Sequence, residues 1–214
     1  MNSILQTFEQ RLKDNQKLTP KMQAILTESL TLFAEKGYSN TSTKDIATAA
    51  NVAEGTIFKH FGSKENLLYA TLIPMVKLTL VQEWSIQLNQ AKKEMAHQNL
   101  RQFLETLLAP LLEKADENIK VIKVISMEFM YQETLRQQLF ELIPPTIIQE
   151  INGIFDALKK RNEMVDYPNE LIFRLMLGPL VTFILSQDMQ PTTLEQRKLE
   201  IRYLLDFLAK GLEK

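Results

Sequence analysis

The segment TSTKDIATAANVAEGTIFKHFGSK, residues 41–64, constrains this chain more than any other stretch. Ile46, Ala47 and Ala50 fall at i, i+1 and i+4, so a short helix over residues 43–50 carries a small apolar inner face. Val52, in a tight turn, and Ile57 and Phe61, on a second short helix over residues 54–61, can close against that face. A helix pair with so short a connection has the shape of a helix-turn-helix, whose second helix lies in the major groove of DNA. No other stretch of the sequence points to a chemistry.

The flanks extend the pattern. Thr19-Pro20 reads as the N-cap and first position of a helix with the apolar stripe Met22, Ile25, Leu26, Leu30 and Phe33. Gly37 supplies its C-cap, where φ is often positive. Thr43 is expected to cap the next helix, with Lys44 and Asp45 in its first turn. Ser63 is expected to cap a further helix carrying Leu67, Leu68 and Leu72, with a kink or break at Pro74. Ile4, Leu5, Phe8 and Leu12 have helical spacing, so residues 1–18 read either as a short amphipathic helix or as a frayed tail.

Taken together, these runs resemble the DNA-binding domain of the TetR family. That family has an aromatic-Ala-x-x-Gly-[Tyr/Phe] run, a Thr-rich cap, an Ile-Ala pair, a Val-x-x-Gly-Thr run ending in His-Phe, and then Ser-Lys-Glu-x-Leu. Here they read Phe33, Ala34, Gly37, Tyr38; Thr41, Thr43; Ile46, Ala47; Val52, Gly55, Thr56, Ile57, Phe58, His60, Phe61; and Ser63, Lys64, Glu65, Leu67. The match is ordered and gap-free over about residues 19–70. Three positions depart from it. Asn51 stands for the usual turn Gly, Ala53 for the usual cap Ser or Thr, and Phe58 for the commoner Tyr.

Helix N-termini bind phosphate through free N–H groups and the dipole, so Thr43 and Lys44 are expected to face DNA, with Lys44 long enough to reach a base. Glu54, Gly55 and Thr56 open the recognition helix. Glu54 either accepts from a base amino group or serves only the helix dipole. Phe58 offers packing or contact with a thymine methyl. Lys59, His60 and Lys64 read as backbone contacts, with a packed structural His60 as the alternative. The resemblance implies contacts at these same positions.

Beyond residue 70 the texture stays helical, over about 76–96, 99–114, 117–131, 133–142, 145–163, 168–187 and 193–211. Pro110, the Pro144-Pro145 pair, Pro168 and Pro191 punctuate these segments. The fold class is therefore all-α, with an extension at 1–18, a helix-turn-helix domain at 19–70 and a larger helical domain at 71–214. The resemblance implies that the larger domain binds a small effector. Phe103, Met127, Met130, Tyr131, Phe155, Phe173, Arg174 and Met176 are candidates for an apolar lining, because Met and aromatic groups suit adaptable pockets. Ordinary core would look the same. Residues 168–187 and 193–211 carry apolar stripes, and the resemblance implies a homodimer through them.

Composition narrows the alternatives. There are no cysteines, which rules out disulfides, thiolate catalysis and zinc fingers. The formal net charge is −1, so only local charge speaks for DNA: Lys44, Lys59, His60 and Lys64 surround the second helix. Glu94 and His97 form an E-x-x-H pattern, but a dimetal site needs a second such motif. No catalytic cluster is present, so neither an enzyme nor a cofactor is expected. Residues 1–17 do not read as a signal peptide, and no run approaches a membrane span; the richest, residues 171–185, reads as a buried helix. The expectation is a cytoplasmic regulator, most simply a repressor, that binds a palindromic duplex as a homodimer and is released by an apolar or amphipathic effector. A helical binding or scaffold protein that has lost DNA binding is the alternative.

Overall fold

Local sequence sets each helix boundary near the DNA-binding segment. In the computed structural model, which describes residues 4–15, 18–78, 80–94, 98–115, 118–186 and 192–214, the chain forms α1 (Ile4–Asp14) and α2 (Pro20–Lys36) before that segment. It continues as α3 (Thr43–Ala49), α4 (Glu54–Phe61) and α5 (Lys64–Leu78). Then follow α6 (Leu80–Glu94), α7 (Leu100–Ala115), α8 (Ile119–Tyr131), α9 (Glu133–Glu141), α10 (Pro145–Lys160), α11 (Asn169–Ser186) and α12 (Leu194–Leu212). No strand occurs among the described residues, so the all-α expectation holds.

Thr19 caps α2 by accepting the Met22 N–H, with Pro20 at the first helical position. Gly37 ends α2 at φ 81°, a conformation that suits a residue without Cβ. The buried Thr41 hydroxyl donates to the Gly37 carbonyl at 2.8 Å and so ties down the link to α3. The cap of α3 is Ser42 rather than Thr43. Its Oγ accepts the Asp45 N–H, and the Asp45 carboxylate accepts the Ser42 N–H, a closed capping box. Thr43 is thereby the first helical residue, with its hydroxyl left for another partner. Ser63 accepts the Asn66 N–H at the start of α5. Neither Pro74 nor Pro110 ends a helix: α5 and α7 continue through them.

Two compact units divide the chain. The first takes Met1–Gln82 together with Glu117–Leu142, so α8 and α9 pack with the helix-turn-helix segment. It is larger than the segment 19–70. Its core gathers Ile25, Leu30 and Phe33 from α2, Ile46 and Ile57 from the helix pair, Leu67, Leu68 and Leu72 from α5, and Val121 and Val124 from α8. Phe8 and Leu12 of α1 are part of this core, so residues 4–14 form a packed helix, against the frayed-tail alternative for that stretch.

The second unit takes Glu83–Asp116 and Ile143–Lys214. Its core joins Phe103, Leu104 and Leu108 of α7 to Ile154 and Phe155 of α10, Met176 of α11, and Ile201, Leu205 and Leu208 of α12. Arg101 pairs with Asp206, which Lys210 also meets at 2.9 Å. Among the described residues α11 is the one helix whose length and composition would let it cross a membrane, contrary to the sequence reading, and only 17% of it is buried, so the expectation of a buried helix fails too. Ile172, Met176 and Leu180 face the core; Leu175 and Val181 are exposed.

Candidate nucleic-acid interface

The α3–α4 pair is built around a turn that uses the left-handed region once. Asn51 sits at φ 52°, where the resemblance had placed a Gly, and its short polar side chain tolerates that region. The Ala50 N–H donates to the Ile46 carbonyl and the Val52 N–H to the Ala47 carbonyl, each at 2.9 Å, closing the end of α3. Ile46, Ala47, Ala50 and Ile57 are buried, as their spacing predicts. Burial of these four fixes which sides of α3 and α4 face outward.

The outward side carries Lys44, Thr48, Glu54, Gly55, Lys59 and His60, all exposed. Phe58 is among them at 48% exposure. Thr43 and Thr56 are half-buried. The Thr43 hydroxyl donates to Glu54 Oε1 at 2.5 Å, which joins the first turns of the two helices. Ala53 gives α4 no side-chain cap, as the sequence reading expected. A Cβ placed on Gly55 would meet nothing within 4 Å, so no packing within the chain requires a glycine there. His60 is exposed and stands edge-on to Phe61 at 6.4 Å, which disfavours the packed-histidine alternative.

An open groove of about 480 Å³ runs beside the turn, lined by Lys21, Ala47, Thr48, Asn51, Val52, Ala53 and Thr56. Lys21 was not among the residues singled out from sequence. Its signal was a cation placed directly after the Thr19-Pro20 cap. Lys64 takes a different place from the other cations. Its ammonium lies over the Tyr38 ring, 4.2 Å from the centroid. Burial pushes its pKa down, and the carboxylate of Glu128 opposes that shift.

Residues 25–71 match the family described as bacterial regulatory proteins, tetR family. The expectation of a TetR-like DNA-binding segment is met over these residues. Over 55 residues it is 44% identical to YvkB of Bacillus subtilis, an uncharacterized HTH-type transcriptional regulator, covering 26% of this chain and 29% of that protein. It is 47% identical over 49 residues to an HTH-type transcriptional repressor of Mycobacterium tuberculosis H37Rv, covering 23% and 26% respectively. The matched stretch thus spans under a third of the length of these two relatives. Among solved structures, the fatty acid degradation regulator FadR of Bacillus halodurans matches 92% of this chain and 98% of its own at TM-score 0.61 and 19% identity. FadR of B. subtilis, solved with stearoyl-CoA, matches 88% and 97% at TM-score 0.59 and 19% identity. These likenesses show a shared all-α fold. The relatives are named as regulators of transcription and not as enzymes.

The eight residues singled out for an effector lining are divided between the two units. Phe103, Phe155 and Met176 lie in the core of the second unit, with Phe173 packed against it. Arg174, on the same helix, is exposed, and its Nε–H donates back to the Glu170 carbonyl at 3.4 Å. Met127, Met130 and Tyr131 belong to the first unit and are 58%, 73% and 82% exposed. The reason is the register of α8: Val121, Val124 and Glu128 take its inner side and turn the Met and Tyr residues outward. His97 of the E-x-x-H pattern and Pro191 lie outside the described residues. Among the described residues no group of three or more His, Asp or Glu is placed to hold a metal ion.

Proposed function

We propose that this chain is a TetR-family repressor that binds a palindromic operator as a homodimer through the outward side of α3 and α4. The observation that carries this reading is the joint face made by Lys44, the Thr43–Glu54 pair and Gly55. Lys44 at the start of α3 is placed for a phosphate or a guanine edge. Glu54, held by Thr43, keeps its second oxygen for a cytosine or adenine amino group. Gly55 lets a DNA backbone or base edge approach the recognition helix without a Cβ in the way. Thr56, Phe58, Lys59 and His60 extend the same face, and access to an operator is what a cytoplasmic protein has.

The homodimer reading is supported by apolar surface on the last two helices. Leu199, Tyr203 and Phe207 recur at four-residue steps on α12, and Tyr203 and Phe207 are 63% and 66% exposed. Leu175 and Val181 on α11 are exposed as well. Leu180 and Leu208, part of the stripes read from sequence, are spent on the intramolecular core, so the interface narrows to the outward residues. An apolar strip of this kind on a protein surface marks an association site. Two heads would then meet half-sites ~34–36 Å apart, one turn of DNA, or a multiple of it.

An apolar or amphipathic effector completes the proposal. One protein of the same fold was solved with stearoyl-CoA, an amphipathic ligand of this class. The lining would draw on the buried Phe103, Phe155 and Met176, not on Met127, Met130 or Tyr131. A hundredfold loss of operator affinity requires about 2.7 kcal/mol of coupling, within the ordinary range for allostery. The test is a titration of the full chain onto duplexes drawn from the DNA flanking its own gene, repeated with long-chain acyl-CoA. Specific binding that Lys44→Ala weakens, and that acyl-CoA releases, supports the reading. Binding to no duplex would favour the scaffold alternative. Operator binding that acyl-CoA leaves unchanged would remove this class of effector alone.

A further inference from the structure

Lys21 reaches the DNA-facing end of the first unit from outside the helix pair. Thr19 caps α2 and Pro20 takes its first position, so Lys21 lies in the first turn. Ile25, one turn further on, is fully buried in the core that also holds Ile46 of α3 and Ile57 of α4. Residues four apart share a helix face. Lys21 therefore leaves the rim of that core on the side of α2 that packs with the helix pair, and it is exposed there.

For a cation this position is locally unfavourable. The start of a helix is the positive end of its macrodipole, where Asp or Glu is preferred. The first turn of α2 has no acidic residue, and among the described residues Lys21 makes no ion pair. A residue that runs against the preference of its own helix points to a functional site.

The groove beside the α3–α4 turn supplies that site. Lys21 is the one charged residue among those lining its roughly 480 Å³, and no carboxylate lines it. Thr48, Asn51 and Thr56 are its other polar residues; the rest of the lining is small and apolar. The Thr48 hydroxyl donates to the Lys44 carbonyl at 2.9 Å. Asn51 and Thr56 make no side-chain hydrogen bond among the described residues, so their donors face the groove's occupant. One cation, two neutral donors and no carboxylate make a lining for an anion. Thr48 and Thr56 also belong to the outward side of α3 and α4, so the groove continues the face that would meet a duplex.

We propose that this groove seats a phosphate of the DNA backbone, with Lys21 as its cation and Asn51 and Thr56 as neutral donors. The inference rests on the DNA-binding reading above and adds α2 to the interface. Lysine acts on phosphate as a compact point charge, so this contact adds affinity and register and carries no base preference.

The experiment measures affinity of the full chain for its preferred duplex and for an unrelated one, across a salt series. Lys21→Met is expected to weaken both by the same factor, about five- to tenfold near ~0.1 M salt, and to lower the slope of log affinity on log salt by about 0.9. The preferred sequence stays the same. Lys21→Arg, which keeps the charge, is expected to restore affinity and slope. Lys160→Met removes an exposed cation from the end of α10 in the second unit and is expected to change neither. Lys21→Gln serves if Lys21→Met does not fold. Unaltered affinity and slope in Lys21→Met overturn the inference, as does an equal effect of Lys160→Met or a changed base preference. Failure of the unsubstituted chain to bind any duplex would instead remove the DNA-binding reading, and the inference with it.

Discussion

The Thr43 hydroxyl donates to Glu54 Oε1 at 2.5 Å, across the turn that separates the two helices of the DNA-facing pair. A hydrogen bond to an ionised acceptor is stronger than a neutral one and fixes the carboxylate's direction. It exists because Ser42, not Thr43, takes the cap of α3. Glu54→Ala is expected to change the preferred base at one position in each half-site, with discrimination there falling by about tenfold or more. Thr43→Val is expected to loosen preference at that same position while keeping its identity. Selection of duplexes from a random pool by each variant checks both; an unaltered preferred sequence with Glu54→Ala would leave Glu54 a helix-dipole role only.

Asn51 holds the turn at φ 52°. Asn51→Gly is expected to leave stability within about 0.5 kcal/mol, whereas Asn51→Val should cost about 1–2 kcal/mol, the penalty of a Cβ-branched residue in the left-handed region. Urea unfolding of the two variants decides this. A valine without cost would mean that the turn relaxes to another conformation.

Phe8 is fully buried in the core of the first unit although it precedes the segment of family resemblance. Phe8→Ala is expected to destabilise that unit by about 3–5 kcal/mol, the usual range for a phenylalanine lost from a core. Because the same core holds α3 and α4, DNA binding should fail at a lower temperature than in the unsubstituted chain. Thermal unfolding followed alongside duplex binding reports both. A variant that melts unchanged would return α1 to the status of a dispensable arm.

Tyr69 has its pKa pushed up to about 12, first by burial and then by its hydrogen bond to Glu65. The folded state therefore keeps this proton where the unfolded chain, titrating near 10.0, has lost it. The associated stabilisation is fully present below pH 10 and disappears as pH rises from there to about 12. Tyr69→Phe is expected to flatten the fall of stability over that window. Equal alkaline slopes for the two proteins would show that the Tyr69 proton is not linked to folding.

How far the sequence reveals this molecule depends on the range of the interactions involved. Helix boundaries set by local chemistry were legible. The Thr19-Pro20 cap, Gly37 and the Asn51 turn stand where their short-range preferences put them. The shift of the α3 cap by one residue was not, since Ser42 and Thr43 are both good caps and only Asp45 closing a box with Ser42 decides between them. The prolines misled as well: Pro74 and Pro110 sit inside helices that continue through them. The outward side of α3 and α4 followed from the spacing of Ile46, Ala47 and Ile57. The effector lining did not, because Met127 and Phe103 look alike in a one-dimensional stripe and only the packing of α8 and α7 separates them.

The most direct measurement of the central claim is selection of duplexes by the full chain from a random pool, followed by sedimentation of the chain with the enriched duplex. The account predicts an inverted repeat with half-sites about one helical turn, ~34–36 Å, apart. It also predicts two protomers per duplex, with pairing lost in Phe207→Glu. Enrichment of no sequence, or a monomer bound equally well to every duplex, would contradict it.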